Sequence, residues 1–152
     1  MFRELMPQLA GRYHVIAPDL PGFGQTTVLP DTPFDYTFDR LAQVIAAFTV
    51  AKKLARYALY VFDYGAPVGW RLAVANPQRI TAIVSQNGNA YEEGLSAGWD
   101  DMRKAWADPS PANREALRRF NTIDMLRWQY TQGVTDTSLV APEGYQLACA
   151  AI

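Results

Sequence analysis

Residues 57–62 read Tyr-Ala-Leu-Tyr-Val-Phe, an almost unbroken apolar run that stops at Asp63-Tyr64-Gly65 and gives way to Ala66-Pro67-Val68-Gly69. A run this short and this apolar fits a strand covered on both faces, and the stretch after it fits a helix over 66–76, stopped by Pro77. A strand that passes through a tight turn straight into a helix constrains the fold more than any other feature of the chain. A second strand is predicted just beyond, at Ile80-Thr81-Ala82-Ile83-Val84-Ser85. Upstream, Tyr13 to Asp19 predicts a further strand. Between them Phe38, Leu41, Val44, Ile45 and Phe48 lay an apolar stripe along a helix, with Thr37 or Asp35 as its cap. Strand, helix, strand, helix, strand implies right-handed crossovers and a parallel sheet with flanking helices, an α/β fold.

The two ends of the chain have a different character. Phe2, Leu5, Met6 and Leu9 make an apolar helical face that begins at once, without a capping Ser, Thr, Asp or Asn, and Gly11 closes it. After about residue 95, Trp99, Met102, Trp106, Leu117, Phe120, Met125, Leu126, Trp128 and Tyr130 follow helical patterns, and no further strand is predicted. The pattern runs to Ile152 without a terminating Gly or Pro, so both ends read as cut. The expected organisation is a partial core over 1–95 and an incomplete helical segment over 96–152.

Composition narrows the function classes. Fourteen Lys plus Arg against fifteen Asp plus Glu give a net charge of -1, which offers no electrostatic reason to bind nucleic acid or an anionic membrane. No apolar run reaches the length of a membrane span, and no leader pattern opens the chain; a cytoplasmic location is the expectation. The single cysteine, Cys149 in Leu147-Ala148-Cys149-Ala150, excludes an intrachain disulfide and a cysteine-rich metal site, and it reads as a buried, inert thiol. No cofactor or metal is expected.

Asp63 is the chemical focus. A residue on a sharp strand-to-helix turn takes an unfavourable backbone, often with positive φ, which Asp tolerates better than bulkier residues. Gly65 and Gly69 are expected to give the strand and helix room to approach. The helix N-terminus favours negative charge by about 0.3–1 kcal/mol, so the turn suits an ionised carboxylate. Taken alone, the residues of the turn favour a plain helix-capping role, since an Asp before Gly and Pro commonly serves as one.

The wider pattern favours chemistry. Tyr60 to Gly69, with Asp where many enzymes carry Ser, resembles the nucleophile elbow of the α/β-hydrolase superfamily, most closely its Asp-nucleophile branch of epoxide hydrolases and haloalkane dehalogenases. Ala17-Pro18-Asp19-Leu20-Pro21-Gly22-Phe23-Gly24 resembles the loop after the family's fourth strand, and Asn76-Pro77-Gln78-Arg79-Ile80 resembles the link into its sixth. The resemblance covers about residues 1–95, and the helical remainder sits where the family inserts its cap. It implies a partial α/β-hydrolase fold and a two-step reaction. The Asp63 carboxylate forms an alkyl ester, and a histidine then activates water to hydrolyse it. The Tyr64 N–H is the implied oxyanion donor.

The resemblance also implies a small apolar organic substrate, an epoxide or a haloalkane. Tyr64 stands where the branch usually has a halide-binding Trp, which tips the expectation towards epoxides. Epoxide hydrolases use cap tyrosines to hydrogen-bond the opening epoxide oxygen, and Tyr130 and Tyr145 are candidates by location. Gln86 and Asn87 occupy the strand end where some dehalogenases carry the acid that orients the histidine. Tyr91 and Glu92-Glu93, just beyond, read as a solvated loop. The chain's one histidine, His14, lies at the start of its predicted strand, the end remote from the catalytic loops, and reads as structural. The expectation is a fragment of an epoxide-hydrolase-like enzyme that does not turn over; a dehalogenase-like hydrolase or a catalytically dead remnant are the alternatives.

Overall fold

The computed structural model describes residues 2–151; the expected chain ends at Met1 and Ile152 lie outside the described residues. The chain divides into two compact units. One is Val28–Trp99; the other joins the described residues up to Thr27 with those from Asp100 onward.

Within Val28–Trp99 the elements are helix α2 (Phe38–Ala51), strand β1 (Tyr57–Phe62), helix α3 (Gly65–Ala75) and strand β2 (Ile80–Gln86). The number α1 belongs to the other unit. Of the two caps expected for α2, the chain uses Thr37, whose side-chain oxygen accepts the Arg40 N–H at 3.2 Å. β1 and β2 form a parallel two-stranded sheet with Leu59 opposite Ile83, Val61 opposite Ser85 and Phe62 opposite Gln86. Helix α3 rests on the β1 face that carries Leu59 and Val61. A Cβ added at Gly69 would collide with Val61 and come within 3.9 Å of Leu59, so this glycine sets how closely helix and strand approach. Gly65 does not share that role, contrary to expectation. As the first residue of α3, it would place a Cβ with nothing within 4 Å.

The core of this unit is Leu41 and Ala42 of α2, Val61 of β1, and Ala66, Val68 and Leu72 of α3. Arg71 ties α3 to α2 by an ion pair with Asp39, and it also donates to the Pro67 carbonyl at 3.1 Å. Arg79, just before β2, donates to the Leu54 and Ala55 carbonyls and lies 5.5 Å over the Tyr57 ring, which fixes the start of β1.

The sequence reading expected cover on both faces of the sheet, but cover is confined to the Leu59 and Val61 face of β1, and β2 is exposed along most of its length. Side chains alternate along a strand. Tyr60, Phe62, Val84 and Gln86 therefore share the face opposite Leu59 and Val61, and there Tyr60 is 40% and Val84 50% exposed. The Tyr60 hydroxyl donates to Gln86 Oε1 across this face.

In the other unit, α1 spans Leu5–Ala10, with no side-chain hydrogen bond at its N-terminal cap. The expected strand at Tyr13–Asp19 is not formed. A strand exists only through a ladder with a neighbour, and the sheet found among the described residues consists of β1 and β2, both in Val28–Trp99. The stretch ends instead in a self-bonded loop. Asp19 Oδ2 accepts the Gln25 N–H at 3.0 Å, and the Asp19 carbonyl accepts the Thr26 hydroxyl at 2.7 Å. Gly24, at φ 56°, passes so near the Asp19 carboxylate that a side chain there would collide with it.

From Asp100 the chain is helical: α4 (Asp100–Ala107), α5 (Pro111–Leu117), α6 (Ile123–Thr131) and α7 (Pro142–Ala150). Ser110 and Thr122 cap α5 and α6 through their hydroxyls, as small polar residues at such positions do. Leu126 and Ala105 are buried here. Cys149 on α7 is half-buried rather than buried.

Candidate active site

β1 ends at Phe62 and α3 begins at Gly65, so Asp63 and Tyr64 make the whole reversal. Asp63 takes φ 47°, the left-handed region that residues with a Cβ seldom occupy. The Ala66 N–H donates to the Asp63 carbonyl at 2.9 Å and closes the turn. The carboxylate is exposed, and its Oδ1 accepts the Tyr64 N–H at 2.6 Å. A capping side chain would accept from amides in the first helical turn, yet α3 has no side-chain cap. Asp63 thus holds one oxygen against a backbone donor, and Oδ2 has no hydrogen-bond partner among the described residues.

Tyr64 is half-buried between two rings. Phe38, the first residue of α2, meets it edge-on with centroids 5.4 Å apart, and Trp99 lies tilted at 50° with centroids 6.4 Å apart. Burial first, and then the Asp63 charge, raise the Tyr64 phenol above its ordinary pKa, so at neutral pH it is a neutral hydroxyl.

The end of β2 borders the elbow. Phe62 and Gln86 are the last paired residues of the two strands, so Asp63 and Asn87 are the first residues beyond adjacent strand ends, and Asn87 also takes φ 47°. A Cβ at Gly88 would lie 2.6 Å from that of Ala66, so the chain leaving β2 presses against the first turn of α3. The Trp70 indole donates to the Asn89 carbonyl at 3.2 Å, and Asn89 Nδ2 donates to the Tyr91 carbonyl at 2.7 Å. Tyr91, Glu92 and Glu93 are exposed, with the two glutamates in a short 3-10 turn at Glu92–Gly94.

Tyr130 and Tyr145 sit in the other unit, on α6 and α7. Their rings meet edge to face with centroids 6.1 Å apart, and Gly144 lets them approach, since a Cβ there would stand 3.2 Å from Tyr130. His14 is exposed beside α1 and is one of the residues lining a shallow concavity with Met6, Pro7 and Ala10. Among the described residues no cluster of three metal-ligating side chains occurs, and no helix is long and apolar enough to cross a membrane.

Phe38 and Trp99 are neighbours of Tyr64 that sequence reasoning did not assign to the elbow, whereas Asn87 was read only as the residue at the end of its strand. The first two read only as apolar positions of helical stripes, and their approach to Tyr64 is a tertiary contact without a local signature. Asn87-Gly88 does carry a turn signal that points to the left-handed backbone found there.

The profile of the alpha/beta hydrolase fold family matches residues 1–129. The chain belongs to the α/β-hydrolase fold family. As an α/β-hydrolase chain it is 43% identical to an uncharacterized hydrolase of Saccharomyces cerevisiae, over its full length and 53% of that protein. It is 36% identical to a haloalkane dehalogenase of Mycobacterium marinum, over 58% of this chain and 30% of that protein. A haloalkane dehalogenase of Psychrobacter cryohalolentis is 34% identical, over 57% of this chain and 29% of that protein. The chain spans about half the length, or less, of these curated relatives.

Proposed function

We propose that this chain carries the nucleophile half of a hydrolase that forms an alkyl-enzyme ester on Asp63, with an epoxide as the substrate class. The observation that carries the reading is the elbow itself: a strained, exposed aspartate with Oδ1 against the Tyr64 N–H. Oδ2 attacks the epoxide carbon, that C–O bond breaks, and the ring oxygen leaves as an alkoxide that takes a proton from a hydroxyl donor or water. The product is an ester on Asp63 carrying the whole epoxide. In the second step water adds to the ester carbonyl. Negative charge then develops on Oδ1, which the Tyr64 N–H is already placed to stabilise. Collapse returns the carboxylate and releases a diol. The second step needs a general base. His14 lies in the other unit and is not assigned that role.

The resemblance to epoxide hydrolases alone makes Tyr130 and Tyr145, which pack edge to face on α6 and α7, the candidate hydroxyl donors to the ring oxygen. Residues 1–95 act as the partial core and 96–152 as the cap segment. The names of the bacterial relatives favour a second reading, in which the electrophile is a haloalkane and halide leaves.

The two chemistries leave different masses. The chain is incubated separately with a terminal epoxide and a bromoalkane, and its intact mass is followed over time. We expect the epoxide to add its full mass and the bromoalkane to add little. A Tyr130→Phe/Tyr145→Phe double variant should slow the epoxide adduct by at least ~10-fold, the low end of what a positioned proton donor contributes. A faster gain of the alkyl group alone, with bromide released, would favour the dehalogenase reading.

A further inference from the structure

We propose that Asn87 is a self-modification site, which deamidates by attack of the Gly88 backbone nitrogen and leaves a carboxylate at the strand end next to that of Asp63. The site stands whether or not Asp63 is a nucleophile. The chain has five asparagines, Asn76, Asn87, Asn89, Asn113 and Asn121, and of these Asn87 alone precedes a glycine. Glycine has no Cβ to shield its amide or restrict its backbone, so it is the neighbour that most readily closes a ring on an asparagine side chain. The fold leaves both partners open. Asn87 is exposed just beyond β2, and its side-chain amide makes no hydrogen bond among the described residues; nor does the Gly88 N–H. Asn87 also holds φ 47°, a costly backbone with no side-chain bond to retain it, so little opposes the rotation that cyclisation needs. The other four asparagines differ. Pro77 offers Asn76 no N–H, and Thr122 after Asn121 is β-branched. The Asn89 amide is tied to the Tyr91 carbonyl, and that of Asn113 to Asp108. Packing also preserves the reactive pair. A Cβ at position 88 would lie 2.6 Å from that of Ala66 and 2.9 Å from Ser85 Oγ, so the chain can leave β2 this way only through a glycine.

The chemistry needs only water and base. The Gly88 nitrogen loses its proton and bonds to Asn87 Cγ, the Cγ–Nδ2 bond breaks, and ammonia leaves a succinimide. Water then opens the ring at either carbonyl. One opening gives Asp; the other gives isoaspartate, with the backbone rerouted through the side-chain carboxyl carbon. In both products the amide NH2 has become OH, which ionises at neutral pH and adds a negative charge at the end of β2.

The test ages the folded chain at mildly alkaline pH in water enriched in heavy oxygen, with a guanidinium-unfolded sample alongside. Peptide mapping by tandem mass spectrometry, with isoaspartate detection, follows each asparagine over time. We expect Asn87 to convert before any other asparagine, to a mixture of Asp and isoaspartate carrying one heavy oxygen. Its rate in the folded chain should lie within about 10-fold of the unfolded rate, which corresponds to a local opening of no more than ~1.4 kcal/mol. Asn87→Gln should remove the acidic form that anion exchange separates from the aged wild type. The mapping of wild type decides the matter even if that variant fails to fold. Conversion at Asn87 in the unfolded sample alone would show that the fold protects the pair and overturn the proposal. Conversion spread evenly over the asparagines would overturn it as well, and so would Asp without isoaspartate, because direct hydrolysis would then bypass Gly88.

Discussion

At the scale of single residues, Asp63 combines two properties that seldom coincide in a purely structural side chain. Its backbone occupies a region that costs on the order of 1 kcal/mol or more for a residue with a Cβ, and its carboxylate is exposed rather than used as a helix cap. Asp63→Asn keeps the shape and the tolerance of left-handed backbone, so it should change folding stability by no more than about 0.5 kcal/mol, measured by urea denaturation. It should nevertheless abolish ester formation. Tyr64 gives a second prediction. Its folded-state pKa is raised, by burial first and by the Asp63 charge second. The associated stability is therefore fully present below the unfolded value of about 10 and is lost as pH rises from there through the folded value. Urea denaturation across this alkaline range should show a decline in wild type that is smaller in Tyr64→Phe. An identical decline in both would place the loss elsewhere.

At the scale of elements, the strand–helix pair β1–α3 positions the elbow, and its closeness depends on Gly69 against Val61. Gly69→Ala should destabilise by about 1–3 kcal/mol through overpacking, and adding Val61→Ala should recover part of that loss, since the two sites share one contact. Additive losses in the double variant would show that the contact does not set the spacing. The elements legible in the sequence are those whose signals are local. The stripe from Phe38 to Phe48, the apolar run 57–62 and the stop at Pro77 each appear in the structure within a few residues of where the pattern puts them. Tyr13–Asp19 was not legible in the same way. Its composition suits a strand, but a strand is a relation between two segments, and composition reports on only one. The site divides similarly. Asp63 and Tyr64 could be read from the turn chemistry, whereas Phe38 and Trp99 reach Tyr64 across 26 and 35 positions of sequence, where no periodicity carries information.

At the scale of the whole molecule, the sheet of two parallel strands is unusual in being covered only where α3 rests on one face of β1. Parallel sheets ordinarily bury both faces, and here Tyr60 and Val84 stand open to solvent beside strand edges that have no further partner among the described residues. We expect the isolated chain to have low stability and to associate as concentration rises. Val84→Lys on the open face should raise its solubility without affecting chemistry at Asp63, as checked by sedimentation and adduct yield together. The family is secured by a profile match over residues 1–129, and the nucleophile is the central claim built on it. The most direct test is peptide mapping by tandem mass spectrometry after the folded chain is exposed to a terminal epoxide, with Asp63→Asn alongside. We expect a stable ester confined to Asp63 in wild type and none at that position in the variant. An unmodified Asp63 in folded protein, or an equal spread of label over carboxylates in both chains, would contradict the assignment.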